Sequence, residues 1–286
     1  AAYLNVSHTD FDLDRHWRSM SELDLRPIYL LHDLIPITHP EVTTPHKTAR
    51  HCGRVTKALE HATGIIANSQ ATADDLRAFA DEEKLGVPLL LVAPIAGAQM
   101  TAKADKGHVR GRPFVSVGTV ETRKNHILLL RVWSLLVDRL GDAAPHLVIA
   151  GDMGLGGESA LKSLLSDPRL QDFVEIRFGQ SDAEIARLVS QARAMLLPTL
   201  AEGYGLPMVE ALAQGVPVIA SDLPSFREIG QGIPTLLDSN DAELWADSIA
   251  SFCEESPERG RQLAVMDRFR APTWSTHFAA LDAWLN

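Results

Sequence analysis

Short apolar runs alternate with longer amphipathic segments along almost the whole chain. Runs rich in β-branched residues fall at 28–31 (IYLL), 64–67 (GIIA), 89–95 (LLLVAPI), 114–120 (FVSVGTV), 146–150 (HLVIA), 174–178 (VEIRF), 194–200 (AMLLPTL) and 216–220 (VPVIA). Most are apolar throughout, as strands covered on both faces are. Between them, 125–140 (NHILLLRVWSLLVDRL) and 182–192 (DAEIARLVSQA) carry apolar residues at helical spacing, and Ser181 with Glu184 has the spacing of a capping box. Strands separated by helices predict parallel sheets in a doubly wound α/β architecture. The opening AAYLNVSHTDFD reads as a strand entering a loop, and Trp274 to Asn286 as a last amphipathic helix.

The pattern lapses once, over 97–112 (GAQMTAKADKGHVRGR), which is polar, glycine-containing and aperiodic, and a new strand follows it. A chain of 286 residues is long for one core and comfortable for two. The division expected is a first Rossmann-like domain over 1–100, a linker over 101–112, a second domain over 113–270, and a C-terminal helix over 271–286 that packs back on the first domain. The chain opens without Met, so a missing N-terminal piece and an incomplete first domain are expected.

Charge and cysteine content narrow the class. The net charge of −10 lacks a broad basic footprint, so no nucleic-acid partner is expected. Cys52 and Cys253 stand far apart, in no metal-binding spacing, and suit a reducing compartment. The histidines at 8, 16, 32, 39, 46 and 51 form no zinc motif, and no metal ligand is expected. No apolar run reaches the roughly 18 residues of a spanning helix and no signal peptide opens the chain, so a cytoplasmic protein is expected. No G-x-G-x-x-G follows a strand with an acidic residue about twenty positions on, which disfavours a dehydrogenase.

The stretch EGYGLPMVEA (202–211) carries the candidate chemistry. It follows the strand at 194–200. Pro207 suits a first helical position and Gly215 a left-handed helix stop. A glycine-containing turn at the carboxyl end of a parallel strand, running into a helix amino end, lets backbone approach a ligand and favours phosphate. Glu202 then sits on the loop, beside whatever reacts. Glu210, on the first helical turn, can accept both hydrogen bonds of a ribose diol. The spacing suits a nucleotide-linked ligand.

With these segments in view, the chain resembles the retaining glycosyltransferases of family 4, which have the GT-B fold of two Rossmann-like domains facing across a cleft. IYLLHDLIP (28–36), IIANSQATADDL (65–76), VGTVETRKNH (117–126) and PTLAEGYGLPMVEALAQGVPVIASD (198–222) resemble that family's patterns in order, the last being its E-x7-E motif. The resemblance is strongest to bacterial enzymes of surface-polysaccharide synthesis with mannose as a common donor sugar. It implies transfer of a sugar from a nucleotide diphosphate, GDP-mannose first, with retention and without a metal or other cofactor. The acceptor implied is a glycan or a polyprenyl-diphosphate-linked sugar.

It also implies roles. His32 and Glu202 are the catalytic candidates, with Glu202 favouring an oxocarbenium-like transition state. Gly118, Arg123, Lys124, Gly203, Tyr204, Gly205, Leu206 and Glu210 are the donor-binding candidates. Arg123 and Lys124 meet the departing diphosphate, and Asp33 is structural. Two departures stand out: Thr119 follows Gly118 where many members have arginine, and the family's first strand, Gly-rich loop and helix have no counterpart. A nucleotide-sugar-binding protein without activity, and a nucleotide-sugar epimerase or hydrolase, therefore stay open.

One further pattern lies outside these motifs. In the helix expected near 45–62, Lys47, Arg50, Arg54, Lys57 and His61 share one face. The stripe is a solvated helical face or an electrostatic contact with an anionic membrane surface, which would make the protein peripheral at the inner face of the plasma membrane.

Overall fold

A computed structural model describes residues 1–7, 10–98, 111–254 and 256–285. The chain divides into two compact units: Ala1–Ala96 with Glu202–Tyr204 and Pro272–Asn286, and Gly97–Ala201 with Gly205–Ala271. Each is a parallel sheet with helices, and each is Rossmann-like. The linker expected over 101–112 lies, up to residue 110, outside the described residues, as do His8 and Asn286.

The first unit has four parallel strands in the order β1 (Ala2–Asn5), β2 (Arg26–Leu31), β3 (Gly64–Ala67), β4 (Leu89–Val92). Its helices are α1 (Asp14–Glu22), α2 (Ile35–Thr38), α3 (Pro45–His61), α4 (Gln70–Glu83) and, last in the chain, α12 (Trp274–Leu285). Because successive strand residues face opposite ways, β2 splits its side chains between two cores. Tyr29 and Leu31 pack with Trp17 of α1, Val55 and Leu59 of α3, and Leu76 and Phe79 of α4. Ile28 and Leu30 pack on the other face with Ile66, Ala93 and Leu281, and Trp284 lies against them. The Trp284 ring covers Gly64 so closely that a Cβ there would lie 2.3 Å from it.

The second unit has six parallel strands in the order β10-β9-β8-β5-β6-β7. They are β5 (Phe114–Val117), β6 (Leu147–Ala150), β7 (Val174–Arg177), β8 (Met195–Leu197), β9 (Val218–Ser221) and β10 (Thr235–Leu237). The helices are α5 (His126–Leu140), α6 (Gly157–Ser166), α7 (Asp182–Ser190), α8 (Leu206–Gln214), α9 (Pro224–Ile229), α10 (Ala242–Phe252) and α11 (Pro257–Val265). Trp133 of α5 and Trp245 of α10 are fully buried in one core with Phe114, Leu196 and Phe252. The capping box of Ser181 and Glu184 is formed at the start of α7.

Several strands stop sooner than the apolar runs suggest. The run at 194–200 yields only three strand residues, because Pro198 has no N–H to donate and the Leu200 N–H goes instead to the Arg123 carbonyl at 2.8 Å. The run at 114–120 ends at Val117, where Gly118 turns to φ +137°. Pro207 is the second helical residue of α8, not the first, and Glu210 the fifth, so Glu210 lies on the second turn. The basic stripe of α3 is drawn into ion pairs. Asp12 accepts from Arg50 Nε at 2.9 Å and Arg54 Nε at 3.2 Å, and Asp14 accepts from Lys57. Burial alone would raise the Asp12 pKa, but the hydrogen bonds from Arg50 and Arg54 outweigh it and hold the carboxyl below its usual range. The stripe thus offers an anionic surface less charge than its sequence suggests. No helix among the described residues is long and apolar enough to cross a membrane.

Candidate active site

The winding of the second sheet reverses between β5 and β8, which are neighbours though far apart in sequence. At such a switch point the connections leave in opposite directions, and ligands bind outside the carboxyl ends of the strands. Gly118, Arg123 and Lys124 lie on the connection after β5. Gly205, Leu206 and Glu210 lie on the connection after β8.

The β5 connection brings bare main chain to the site. A Cβ on Gly151, at the end of β6, would lie 2.1 Å from the Gly118 carbonyl oxygen, so the two strand ends touch backbone to backbone. The Lys124 side chain crosses Gly118, with its Cε 3.3 Å from where a Cβ would stand. Arg123 is braced: its Nε donates to Glu121 Oε1 at 3.0 Å and its Nη1 to the Ala201 carbonyl at 3.0 Å. Thr199 Oγ1 lies 3.0 Å from the carbonyls of both Arg123 and Ala201. Asn125, in the left-handed region at φ 54°, donates both amide hydrogens, to Pro198 O at 3.2 Å and Ser239 O at 3.1 Å. The loops after β5 and β8 are therefore cross-linked before any ligand arrives. His126 opens α5, buried, and its Nδ1 has no hydrogen-bond partner. Burial, with Lys124 adding to it, pushes its pKa down to about 4.

On the β8 side, Gly205 caps α8 at φ +106°, a conformation costly for other residues. No side chain caps that helix end; Pro207 has no N–H, and the Met208 N–H turns back to the Gly205 carbonyl at 3.0 Å. Gly215 closes the helix at φ +84°. Glu210 accepts a hydrogen bond from the Ala98 N–H at 3.1 Å. Burial raises its pKa, and the Ala98 bond only partly opposes this.

The remaining predicted residues lie in the first unit. His32 follows β2, and its Nε2–H donates to the Val6 carbonyl at 3.1 Å, which fixes the tautomer. Asp33 Oδ1 accepts from the Ile35 N–H at 3.0 Å, and the Asp33 carbonyl accepts from His51 Nε2 at 3.0 Å. Gly203 lies against this turn: a Cβ on it would stand 2.5 Å from the His32 carbonyl and 2.6 Å from Asp33 Cβ. Tyr204 is buried and Glu202 half-buried.

Sequence reasoning did not single out Glu121, Asn125, Thr199, Asn68, Ser69 or Thr72. Ser69 carried a signal, since serine is a favoured N-cap residue, and it does cap α4 by accepting from the Thr72 N–H at 3.0 Å. Asn68, Asn125 and Thr199 reach main-chain carbonyls distant in sequence, which no spacing reveals, and Glu121 holds the side chain of its near neighbour Arg123.

With this geometry in hand, comparison with known proteins defines the class. Residues 101–264, more than half of the chain, match the family described as glycosyl transferases group 1, and the chain belongs to that family. It is similar to the serotype-specific mannosyltransferase WbdA of Escherichia coli, 29% identical over 219 residues, covering 71% of this chain and 27% of that protein. It is also similar to the D-inositol 3-phosphate glycosyltransferase of an Arthrobacter species, 27% identical over 264 residues, covering 85% of this chain and 61% of that protein. The chain thus spans about a quarter of the first of these relatives and less than two thirds of the second. Anabaena HepE, in complex with UDP and glucose, superposes with a TM-score of 0.75 at 17% identity, covering 99% of this chain and 77% of that one. Sucrose-phosphate synthase from Thermosynechococcus elongatus gives 0.74 at 18%, covering 99% and 71%. The fold is GT-B, with a four-stranded first sheet and a six-stranded second.

Proposed function

We propose that this chain carries out retaining transfer of a sugar, mannose first, from a nucleoside diphosphate donor to a glycan or polyprenyl-diphosphate-linked acceptor in bacterial surface-polysaccharide synthesis. The observation that carries the reading is the pair of cross-linked loops at the β5–β8 switch point, with bare main chain at Gly118, braced Arg123, Lys124, and an uncapped α8 amino end. The mannosyltransferase names of several relatives and the UDP in the HepE structures support the donor class.

In the reaction the bond between the anomeric carbon and the diphosphate oxygen breaks. An acceptor hydroxyl oxygen takes its place, and that hydroxyl passes its proton to the departing diphosphate oxygen. Arg123, Lys124 and the α8 amino end meet the charge that develops on the diphosphate, and such preorganised groups can supply several kcal/mol. Glu210 takes the ribose hydroxyls. Glu202 and His32 act at the sugar, Glu202 by favouring positive charge at the anomeric carbon.

The two glutamates separate in one experiment. Calorimetry with GDP and UDP, beside a transfer assay over a panel of nucleotide sugars, is run on Glu202→Gln and Glu210→Gln. Glu210→Gln should weaken nucleotide binding about ten-fold or more, since a charge-assisted hydrogen bond is worth about 1.5–3 kcal/mol. Glu202→Gln should leave nucleotide affinity alone and lower turnover. Binding without turnover of any donor would make the chain a nucleotide-sugar-binding protein. Turnover without acceptor would make it a hydrolase.

A further inference from the structure

The segment between β3 and α4 holds a buried polar network that the proposed chemistry does not yet use. Asn68, Ser69 and Thr72 are each at most 3% exposed. Asn68 Nδ2 donates to the His32 carbonyl at 2.9 Å. Ser69 Oγ is 2.7 Å from the Gly203 carbonyl, within the loop grouping Glu202–Tyr204 of the same unit. Thr72 Oγ1 is 3.2 Å from both the Gly203 carbonyl and Asn68 Oδ1.

Each hydroxyl has one proton to give. The shortest contact available to Ser69 is the Gly203 carbonyl, its alternative being Thr72 Oγ1 at 3.0 Å. Ser69 therefore donates to Gly203. The Thr72 proton is left for Asn68 Oδ1, which joins Gly203 to His32 through one run of hydrogen bonds, or for a second bond to Gly203. The Gly203 carbonyl, held by Ser69, and the His32 carbonyl, held by Asn68, are thus fastened to adjacent residues of one segment, with Thr72 beside both. Gly203 also presses directly on the His32 and Asp33 main chain.

A helix start needs only a cap, which Ser69 supplies through the lone pair that accepts from the Thr72 N–H. Nothing in the stability of α4 requires the Ser69 proton to reach a loop 134 positions away. We infer that Asn68, Ser69 and Thr72 are positioning residues, which set the main chain carrying Glu202 relative to the main chain carrying His32. They touch no reacting atom and act through the two carbonyls. The inference rests on the sugar-transfer reading above.

The test uses the full chain with Ser69→Ala and Thr72→Val, and with Ser69→Thr and Thr72→Ser as conservative partners. Ser69→Ala also removes the α4 cap, whereas Thr72→Val keeps it, so the second variant holds the test open if the first folds poorly. Three quantities are read: kcat, GDP affinity by calorimetry, and amide hydrogen exchange over 199–206. The expected result is a kcat about ten- to hundred-fold lower in Ser69→Ala and Thr72→Val, in line with small misplacements of catalytic groups. GDP affinity should stay within about two-fold, because a positioning group acts on the rate and not on nucleotide binding. Exchange over 199–206 should speed up, and the conservative partners should restore both kcat and exchange. A fall in GDP affinity matching the fall in kcat, or an unchanged kcat, overturns the inference. A wild-type chain that transfers no sugar overturns the functional reading instead. In that case faster exchange in the variants still supports the positioning role, and unchanged exchange overturns it.

Discussion

The N–H of Ala98 donates to Glu210 Oε1 at 3.1 Å, across 112 positions of sequence. That bond uses one of roughly four lone-pair sites on the carboxylate and fixes how the group is presented. The rest of Glu210 stays half-buried, and burial raises its pKa. A ribose diol needs the ionised acceptor, so GDP affinity should fall as pH drops through a midpoint above the ordinary glutamate value of 4.5. Titration of affinity against pH checks this, and Glu210→Gln should flatten the profile.

The same shift bears on stability with the opposite sign. A carboxyl whose folded pKa lies above its unfolded value is more protonated in the native state, so stability falls as pH rises through that window. Without nucleotide, Glu210→Gln should therefore melt higher than wild type at neutral pH, and the gap should close at pH values below the unfolded pKa. Binding lost while stability is gained is the signature of a functional carboxylate. A lower melting temperature at pH 7 would contradict it.

His126 shows linkage of the other kind. Its folded pKa of about 4 lies below the model-compound value of 6.5. Between those values the unfolded chain takes up a proton that the native chain refuses, so stability falls as pH falls through this window. The full effect is about 3 kcal/mol. Urea unfolding at pH 7.5 and pH 5 in wild type and His126→Leu isolates it, because His16 and His51, also held down by burial, are common to both chains.

Two glycines of one loop should fail in different ways. A Cβ on Gly205 would meet the Phe226 ring at 2.6 Å and would sit on a backbone at φ +106°. Gly205→Ala should cost about 1–2 kcal/mol for the left-handed backbone and about 1–3 kcal/mol more for overpacking, read as lower thermal stability. Gly203 has no positive φ, and the nearest atoms to its Cβ would be those of the His32 and Asp33 turn. Gly203→Ala should lower turnover more than it lowers the melting temperature.

In the proposed reaction Arg123 and Lys124 carry the charge of the leaving diphosphate without a metal. Dialysis against EDTA should then leave turnover unchanged, while Lys124→Ala lowers it. Glu121→Gln should lower turnover as well, since it loosens the guanidinium from the 2.9 Å ion pair that aims it. Loss of activity in EDTA, restored by a divalent cation, would reassign that charge.

The fold was readable where burial is two-sided. β3 (GIIA) and β6 (LVIA) are apolar throughout and buried throughout, so composition alone marks them. β10 (TLL) escaped notice because it is short and lies at the sheet edge, and α1 because its nine residues are mostly polar. Along α3 the shared face of Arg50, Arg54 and Lys57 followed from helical spacing. Their partners Asp12 and Asp14 did not, since a distance of some forty residues leaves no local pattern. The same limit hid the bonds from Asn125 to Pro198 and Ser239: an asparagine between Lys124 and His126 announces a turn, and only tertiary structure says which carbonyls it reaches.

The contact of Gly118 with Gly151 has a consequence for inheritance. Where two strand ends meet as peptide on peptide, whatever is recognised there is recognised by amide groups that every residue possesses. The message is held in the path of the chain and not in its letters, apart from the few glycines that keep side chains out of the way. Such a surface can outlast wholesale replacement of the residues around it, and solved structures at 17–18% identity still trace the same fold over 99% of this chain. A recognition built on side chains has no such insulation, since each replacement alters the group presented.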